Sequence, residues 1–203
     1  MEGRLVRIER LDPTRHVDSL WNAVGSPEHD QLWTYLFDGP YREREAFAEA
    51  VAKKASTADP LFFAIVDRAR ERAVGYASFM RIEPAHRCIE VGGILYTPLL
   101  QRTAGATEAM YLMARHAFEN LGYRRYEWKC DSRNEPSRRA ALRLGFTFEG
   151  IFRQHMIVKG GNRDTAWYSM LDGEWPARKA AFERWLDPAN FDAEGRQLRA
   201  LGH

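Results

Sequence analysis

Apolar and polar positions alternate through RLVRIERL, residues 4–11, where Leu5, Val6 and Ile8 are set among arginine and glutamate. That period of two predicts a first strand. The period then lengthens. Residues 14–24 follow helical spacing, and SPEHDQLWTYL predicts a short second helix with Ser26 as N-cap and Pro27 at the first helical position. YREREAFAEAVAKKA predicts a further helix that stops before STADP. LFFAIVD, AVGYASFMRIE and CIEVGGILYT then read as three strands, with DRARER and PAHR as hairpin connections. From Ala106 the apolar positions Met110, Met113, Ala114, Ala117, Phe118 and Leu121 return to helical spacing, and Gly122 closes the helix. RRYEWKC alternates strictly, with Tyr126, Trp128 and Cys130 on one face and Arg125, Glu127 and Lys129 on the other. A short helix over about residues 134–144, capped by Gly145, comes next. TFEGIFRQHMIVKG and RDTAWYSML form a hairpin around Gly160-Gly161-Asn162, and EWPARKAAFERWL is a last helix.

This order predicts an α/β domain with a mixed sheet, antiparallel first and parallel around the long helix. The strand–helix–strand unit over residues 90–131 is expected to be a right-handed crossover. One domain is expected over residues 1–187, with 188–203 as a C-terminal tail. The charged face of RRYEWKC conflicts with a strand covered on both sides. Arg125, Glu127 and Lys129 are therefore expected to pair with one another or to reach a substrate cleft.

Bulk properties exclude several classes. A chain of 203 residues can bury a substantial core without staples. The net charge of +2 does not argue for nucleic acid. Runs such as LFFAIV are too short to span a bilayer, and MEGRLVRIERLD lacks the apolar core of a signal peptide. Cys88 and Cys130 have no metal-ligand spacing, and the 6 histidines form no H-x-x-x-H pair. Neither a disulfide framework nor a metal is expected, and a cytoplasmic setting fits best.

QRTAGATE, residues 101–108, opens the long helix with small residues. It is either a plain turn capped by threonine or a place where an anion approaches free backbone N–H groups. The Walker pattern and the dinucleotide pattern are both absent, so any phosphate held there belongs to another ligand class. Gly92-Gly93 inside a strand invites a bulge or a close backbone approach. Asn134 suits an N-cap. Arg102, Arg138, Arg139 and Arg143 suit solvent or a phosphate. Arg163 and Asp164 are possible contacts or an ion pair.

Taken together, QRTAGATEA and DSRNEPSRRAALRLGFTFEG resemble the GNAT superfamily of acetyl-CoA-dependent N-acetyltransferases. The resemblance is closest to the branch that acetylates ribosomal-protein N-termini at alanine or serine, and it runs over about residues 5–175. It implies a mixed, mostly antiparallel sheet with splayed central parallel strands, flanked by helices. It also implies acetyl-CoA as co-substrate, no metal, and direct attack by a primary amine, on a protein N-terminus or a small molecule. In that superfamily a [QR]-x-x-G-x-[GA] loop receives the coenzyme pyrophosphate. Gln101 matches its first position and Ala106 its last, with Ala104 where glycine is usual and Arg102 where the branch often has another glycine. By resemblance, Gln101, Arg102, Thr103, Ala104, Gly105, Ala106 and Thr107 form the phosphate loop. The main chain of Ile94, Leu95 and Tyr96 pairs with pantetheine, and the Tyr96 ring orients the thioester or simply packs.

Other roles follow from the same resemblance. Asn134 contacts the pantetheine arm, Ser137 protonates the leaving thiolate, and Arg138 is first in line for the 3′-phosphate. Trp33 and Tyr35, with Phe37 and Tyr41, wall the acceptor side or pack in a core or dimer. A base is needed because an amine is mostly ammonium at neutral pH. Glu90 is the first candidate, acting through water; otherwise it faces solvent or pairs with Arg87. The branch often has a glutamate where this chain has Met156, which brings His155 in as a second candidate. An acyl-CoA-binding or regulatory module of the same fold needs no base and is the alternative. A homodimer is allowed, with the tail packed on a partner subunit.

Overall fold

A computed structural model describes residues 1–202; residue 203, the last of the tail, lies outside the described residues. Seven strands form one sheet: β1 (Val6–Arg10), β2 (Leu61–Asp67), β3 (Arg72–Glu83), β4 (Cys88–Tyr96), β5 (Arg125–Asp131), β6 (Thr147–Val158) and β7 (Gly161–Leu171). Their spatial order is β1-β2-β3-β4-β5-β7-β6. Only β4 and β5 run parallel; every other neighbouring pair is antiparallel. A parallel pair needs a crossover. Here it is α3 (Ala104–Arg115), extended by a π turn over His116–Asn120 and closed by Gly122 at φ +68°.

The remaining helices are α1 (Pro13–Val24), α2 (Arg44–Ser56), α4 (Glu135–Arg143) and α5 (Trp175–Leu186). In α1 the spacing of Val17, Leu20 and Val24 makes one buried stripe, and Asp12 caps the helix by accepting from Thr14 N at 2.8 Å. The expected second helix is a 3-10 segment, Pro27–Trp33, and Ser26 makes no side-chain cap bond. It stops because Trp33 is drawn inward, 5.2 Å from the Tyr41 ring and 6.2 Å from Phe47, both edge to face. The α1–α2 face encloses one core, including Phe62, Tyr76 and Leu95; α3 and α5 cover a larger one on the opposite face. Among the described residues no helix is long and apolar enough to cross a membrane.

α3 is buried nearly all round, Glu108 included. The periodic pattern showed one apolar stripe; the other side is closed by the N-terminal segment and α5. Glu108 is the reason the N-terminus docks there. Its carboxylate accepts from Arg4 N at 2.9 Å, Leu5 N at 2.6 Å and Val6 N at 2.8 Å. The tail folds back on its own chain, where Asn190 donates to Trp185 O and accepts from Arg199 N, and Phe191 meets the Trp185 ring.

Replacing Glu108 removes the acceptor of three backbone donors at once. Glu108→Ala is expected to destabilise the fold by about 2–4 kcal/mol, measured as a lower urea midpoint with an unchanged denaturant slope.

Candidate active site

The site begins where a ladder ends. β4 and β5 pair in register from Cys88↔Arg125 to Val91↔Trp128 and no further. β4 continues through Gly92, Gly93, Ile94 and Leu95 to Tyr96, held on its other edge by β3; β5 continues to Asp131, held by β7. The strands therefore fork. Two local features drive the divergence. Gly93 has φ +57°, which glycine adopts without a Cβ penalty. The β3–β4 register also shifts between Tyr76 and Ser78, where Ser78 Oγ donates to Gly92 O at 2.9 Å.

Glu90 sits at the crotch of this fork and is 2% exposed. Its carboxylate accepts from Arg81 Nη1 at 2.8 Å and lies 2.8 Å from Lys129 Nζ. The sequence expectation of an Arg87 partner is thus replaced by Arg81 and Lys129. Arg81 reaches Glu90 from a bulge, at φ +47°, with its backbone N–H held by Asp59. Burial raises the Glu90 pKa above the ordinary carboxylate range, and Lys129 and Arg81 pull it part of the way back. A Cβ on Gly92 would lie 3.3 Å from Glu90 Oε1 and 2.5 Å from Met80 Sδ. Glycine at 92 leaves room beside that carboxylate oxygen.

The charged side of β5 resolves into a ladder of alternating sign. Arg125 meets Glu127 at 2.6 Å, Glu127 meets Lys129 at 2.6 Å, and Lys129 meets Glu90. Lys129 Nζ also lies 3.9 Å from the centre of the Trp167 ring. These groups pair with one another, the first of the two alternatives the alternation left open.

At the end of β4 the chain turns into α3. Thr103 caps it, accepting from Ala106 N at 3.2 Å while donating to Leu100 O at 2.7 Å. Arg102 takes a left-handed φ of +61°, so the turn that glycine eases elsewhere is made here by arginine. Ala104 is the first residue of α3 and keeps a negative φ. Ala104 and Gly105 lie in the first turn, whose N–H groups have no intrahelical acceptor. Gln101 Nε2 donates to Tyr96 O at 3.1 Å, and the Tyr96 hydroxyl donates to Ala106 O at 3.0 Å. Both side chains brace the loop. Among the arginines, Arg143 faces this turn, 3.0 Å from Thr107 Oγ1 and stacked on Trp185; Arg138 is turned to Tyr168 and Ser132 O instead. Position along α4 favoured Arg138, and only packing distinguishes the two.

At the end of β5, Asn134 caps α4 by accepting from Ser137 N at 3.2 Å. Ser137 Oγ accepts from the Trp128 indole at 3.0 Å. His155 lies on β6 with Nδ1 2.9 Å from Thr165 Oγ1. Arg163 Nε donates to that same oxygen, so the Thr165 hydroxyl joins the imidazole to the guanidinium. Burial and the nearby Arg163, Arg81 and Lys129 hold the His155 pKa low. Its Nδ1 is occupied by Thr165, whichever ring nitrogen carries the proton.

On the acceptor side, Tyr35 reaches the site and donates to Arg133 O at 3.1 Å. The Trp33 side chain is in the core, 1% exposed, and only its carbonyl, accepting from Lys159, faces the cleft. Arg163 and Asp164 do not pair. Asp164 accepts from Asn162 Nδ2 and Gln154 N, while Arg163 lies over Phe37. Lys159, Arg133 and Asp131 were not singled out from sequence; no local motif marks them.

A sheet forked between parallel strands, with a helix N-terminus at the end of one and a capped helix at the end of the other, defines an acyl-CoA-type fold. The chain matches the acetyltransferase (GNAT) domain over residues 6–147 and belongs to that family. It is similar to the crystal structure of a GCN5-related N-acetyltransferase from Brucella melitensis, with 50% identity and a TM-score of 0.96, covering 98% of this chain and 90% of that one. Among curated relatives it is 31% identical to the uncharacterized N-acetyltransferase YoaA of Bacillus subtilis (strain 168), over 51% of this chain and 58% of the relative. It is 29% identical to a ribosomal-protein-serine acetyltransferase of Escherichia coli (strain K12), over 50% and 56%. The chain thus spans less than two thirds of the curated relatives it matches.

Ser137→Ala strands the Trp128 indole N–H in a largely buried position. It is expected to cost about 1–2 kcal/mol of stability, readable in thermal melts without any ligand.

Proposed function

We propose that this chain is an N-acetyltransferase that moves the acetyl group of acetyl-CoA onto a primary amine. The observation that carries the reading is the fork with Glu90 at its crotch and the first turn of α3 at its end. The residues present fit the coenzyme. The edge of β4 that turns away from β5 beyond Val91 suits the amide-bearing pantetheine arm. Ala104 and Gly105 N–H suit a pyrophosphate, with Arg143 beside them for a further phosphate. Asn134 spends its Oδ1 on the α4 cap, which leaves its amide donors for the arm.

The bound coenzyme supplies an activated thioester. The protein's part is proton handling and position. Glu90, raised in pKa by burial, takes a proton from the acceptor amine directly or through a water. Lys129 and Arg81 keep its carboxylate aimed at the fork. Ser137 carries a hydroxyl at the start of α4, positioned by Trp128, to return a proton to the departing sulfur. A protein N-terminus and a small-molecule amine both satisfy this chemistry; the name of the E. coli relative supports the former. Free Cys88 and Cys130 are consistent with work in the reducing cytoplasm.

Acetyl-CoA at about 100 times its Kd is expected to raise the melting temperature by roughly 5–10 °C. Glu90→Gln should keep that shift while lowering kcat about 100-fold or more. Full turnover by Glu90→Gln removes Glu90 from the mechanism; a thermal shift with no transfer to any amine marks a coenzyme-binding module instead.

The active form of Glu90 is ionised, so kcat rises as pH climbs through its pKa. Lys129→Met removes the cation that lowers that pKa. The acidic limb of the kcat–pH profile is therefore expected to move to higher pH, and a limb that stays in place assigns it to another group.

A further inference from the structure

Beyond the fork, the 3-10 segment, the end of β5 and the β6–β7 turn enclose a cleft of about 220 Å³. Its lining includes Tyr35, Asp131, Arg133, Lys159 and Arg163, three cations against one carboxylate. Two struts hold it in shape: Lys159 Nζ donates to Trp33 O at 2.8 Å and the Tyr35 hydroxyl to Arg133 O at 3.1 Å.

The lone carboxylate is already used. Asp131 accepts from Arg133 Nε at 3.1 Å and Nη2 at 2.9 Å, a two-pronged pair. Arg163 is different. It is 7% exposed, its Nε donates to Thr165 Oγ1, and its guanidinium covers the Phe37 ring at 5.3 Å. Among the described residues no carboxylate lies within ion-pair distance of it. Guanidinium stays charged at any working pH, and a buried charge without a counter-ion is costly. Burial is the dominant influence on it, and the charges of Asp131 and Glu90 are near enough to act on it. Alternation along β7 puts Arg163, Thr165 and Trp167 on the face that carries Lys129 and Glu90. An anion on Arg163 therefore lies along the same polar face as the proposed base.

We propose that the cleft selects acceptors whose amine is accompanied by a carboxylate, and that Arg163 binds that carboxylate through the donors it does not spend on Thr165. The inference rests on the acetyltransferase reading and adds the acceptor's charge. A free amino acid and a peptide N-terminus followed by acidic residues share this chemistry. A polycationic amine such as spermidine meets three like charges and is disfavoured.

The test is kcat/KM for acetyl transfer by the full chain to matched pairs. One arm sets an amino acid against its amide; a second sets peptides with glutamate at positions two and three against glutamine; spermidine is a third. The acidic member is expected to win by about tenfold or more in at least one arm, and the winning arm identifies the source of the carboxylate. Arg163→Gln should bring that ratio close to one. Where that variant does not fold, Arg163→Lys should reduce the ratio, and high salt should erode it in the unmodified protein. Equal use of both members, preference for spermidine, or a ratio that survives Arg163→Gln overturns the inference and leaves the acetyltransferase reading standing. Transfer to no amine in any arm overturns both.

Discussion

Parallel hydrogen bonding between β4 and β5 stops after Val91 and Trp128, and the rest of the site depends on that stop. A buried strand edge cannot leave its N–H and C=O groups unmatched without cost. Here the matched edges lie outward, toward β3 and β7, and the inner edges open toward each other. Gly93, at φ +57°, and the β3–β4 bulge turn β4 aside. Because each strand ends at a helix, the divergence also sets the separation of α3 from α4. The loop that caps α3 and the Asn134 cap of α4 then stand at the ends of the two diverging strands.

The polar face beside that gap is built on alternating charge. Burying one ion is expensive, and burying a chain of opposite ions is less so because each carboxylate is shared. Glu127 lies between Arg125 and Lys129, and Glu90 between Lys129 and Arg81. Such a ladder adds little net stability. Its effect is geometric: Glu90 has two fixed donors, so its carboxylate has one orientation. Arg81 adopts a left-handed backbone to take part. Arg163 stands outside the ladder, a buried cation with no carboxylate at ion-pair distance among the described residues.

The elements were legible where local physics decides them. Period-two alternation marked RLVRIER and RRYEWKC, and Thr103 and Asn134 capped where their side chains predicted. The 3-10 segment after Ser26 was read as a helix, because the pull of Trp33 into a core made with Tyr41 and Phe47 is not a local signal. The charged face of RRYEWKC was visible as an anomaly, yet its partners Glu90 and Glu149 come from other strands. Arg143 and Arg138 lie on one short helix; only the tertiary contacts show that Arg143 meets Thr107 at the start of α3 while Arg138 meets Tyr168 on β7.

By itself the sequence determined the order of strands and helices, the small-residue mouth of α3, the glycine pair in β4 and the family resemblance. These rest on periodicity, capping and backbone freedom, which act over a few residues. The tertiary structure decided where β4 and β5 part, which cations flank Glu90, that Trp33 is core while Tyr35 is cleft, and that Arg163 has no carboxylate partner among the described residues. Those facts depend on residues far apart in the chain meeting across strand register and helix packing. The partners lie on different elements, so no local pattern states them.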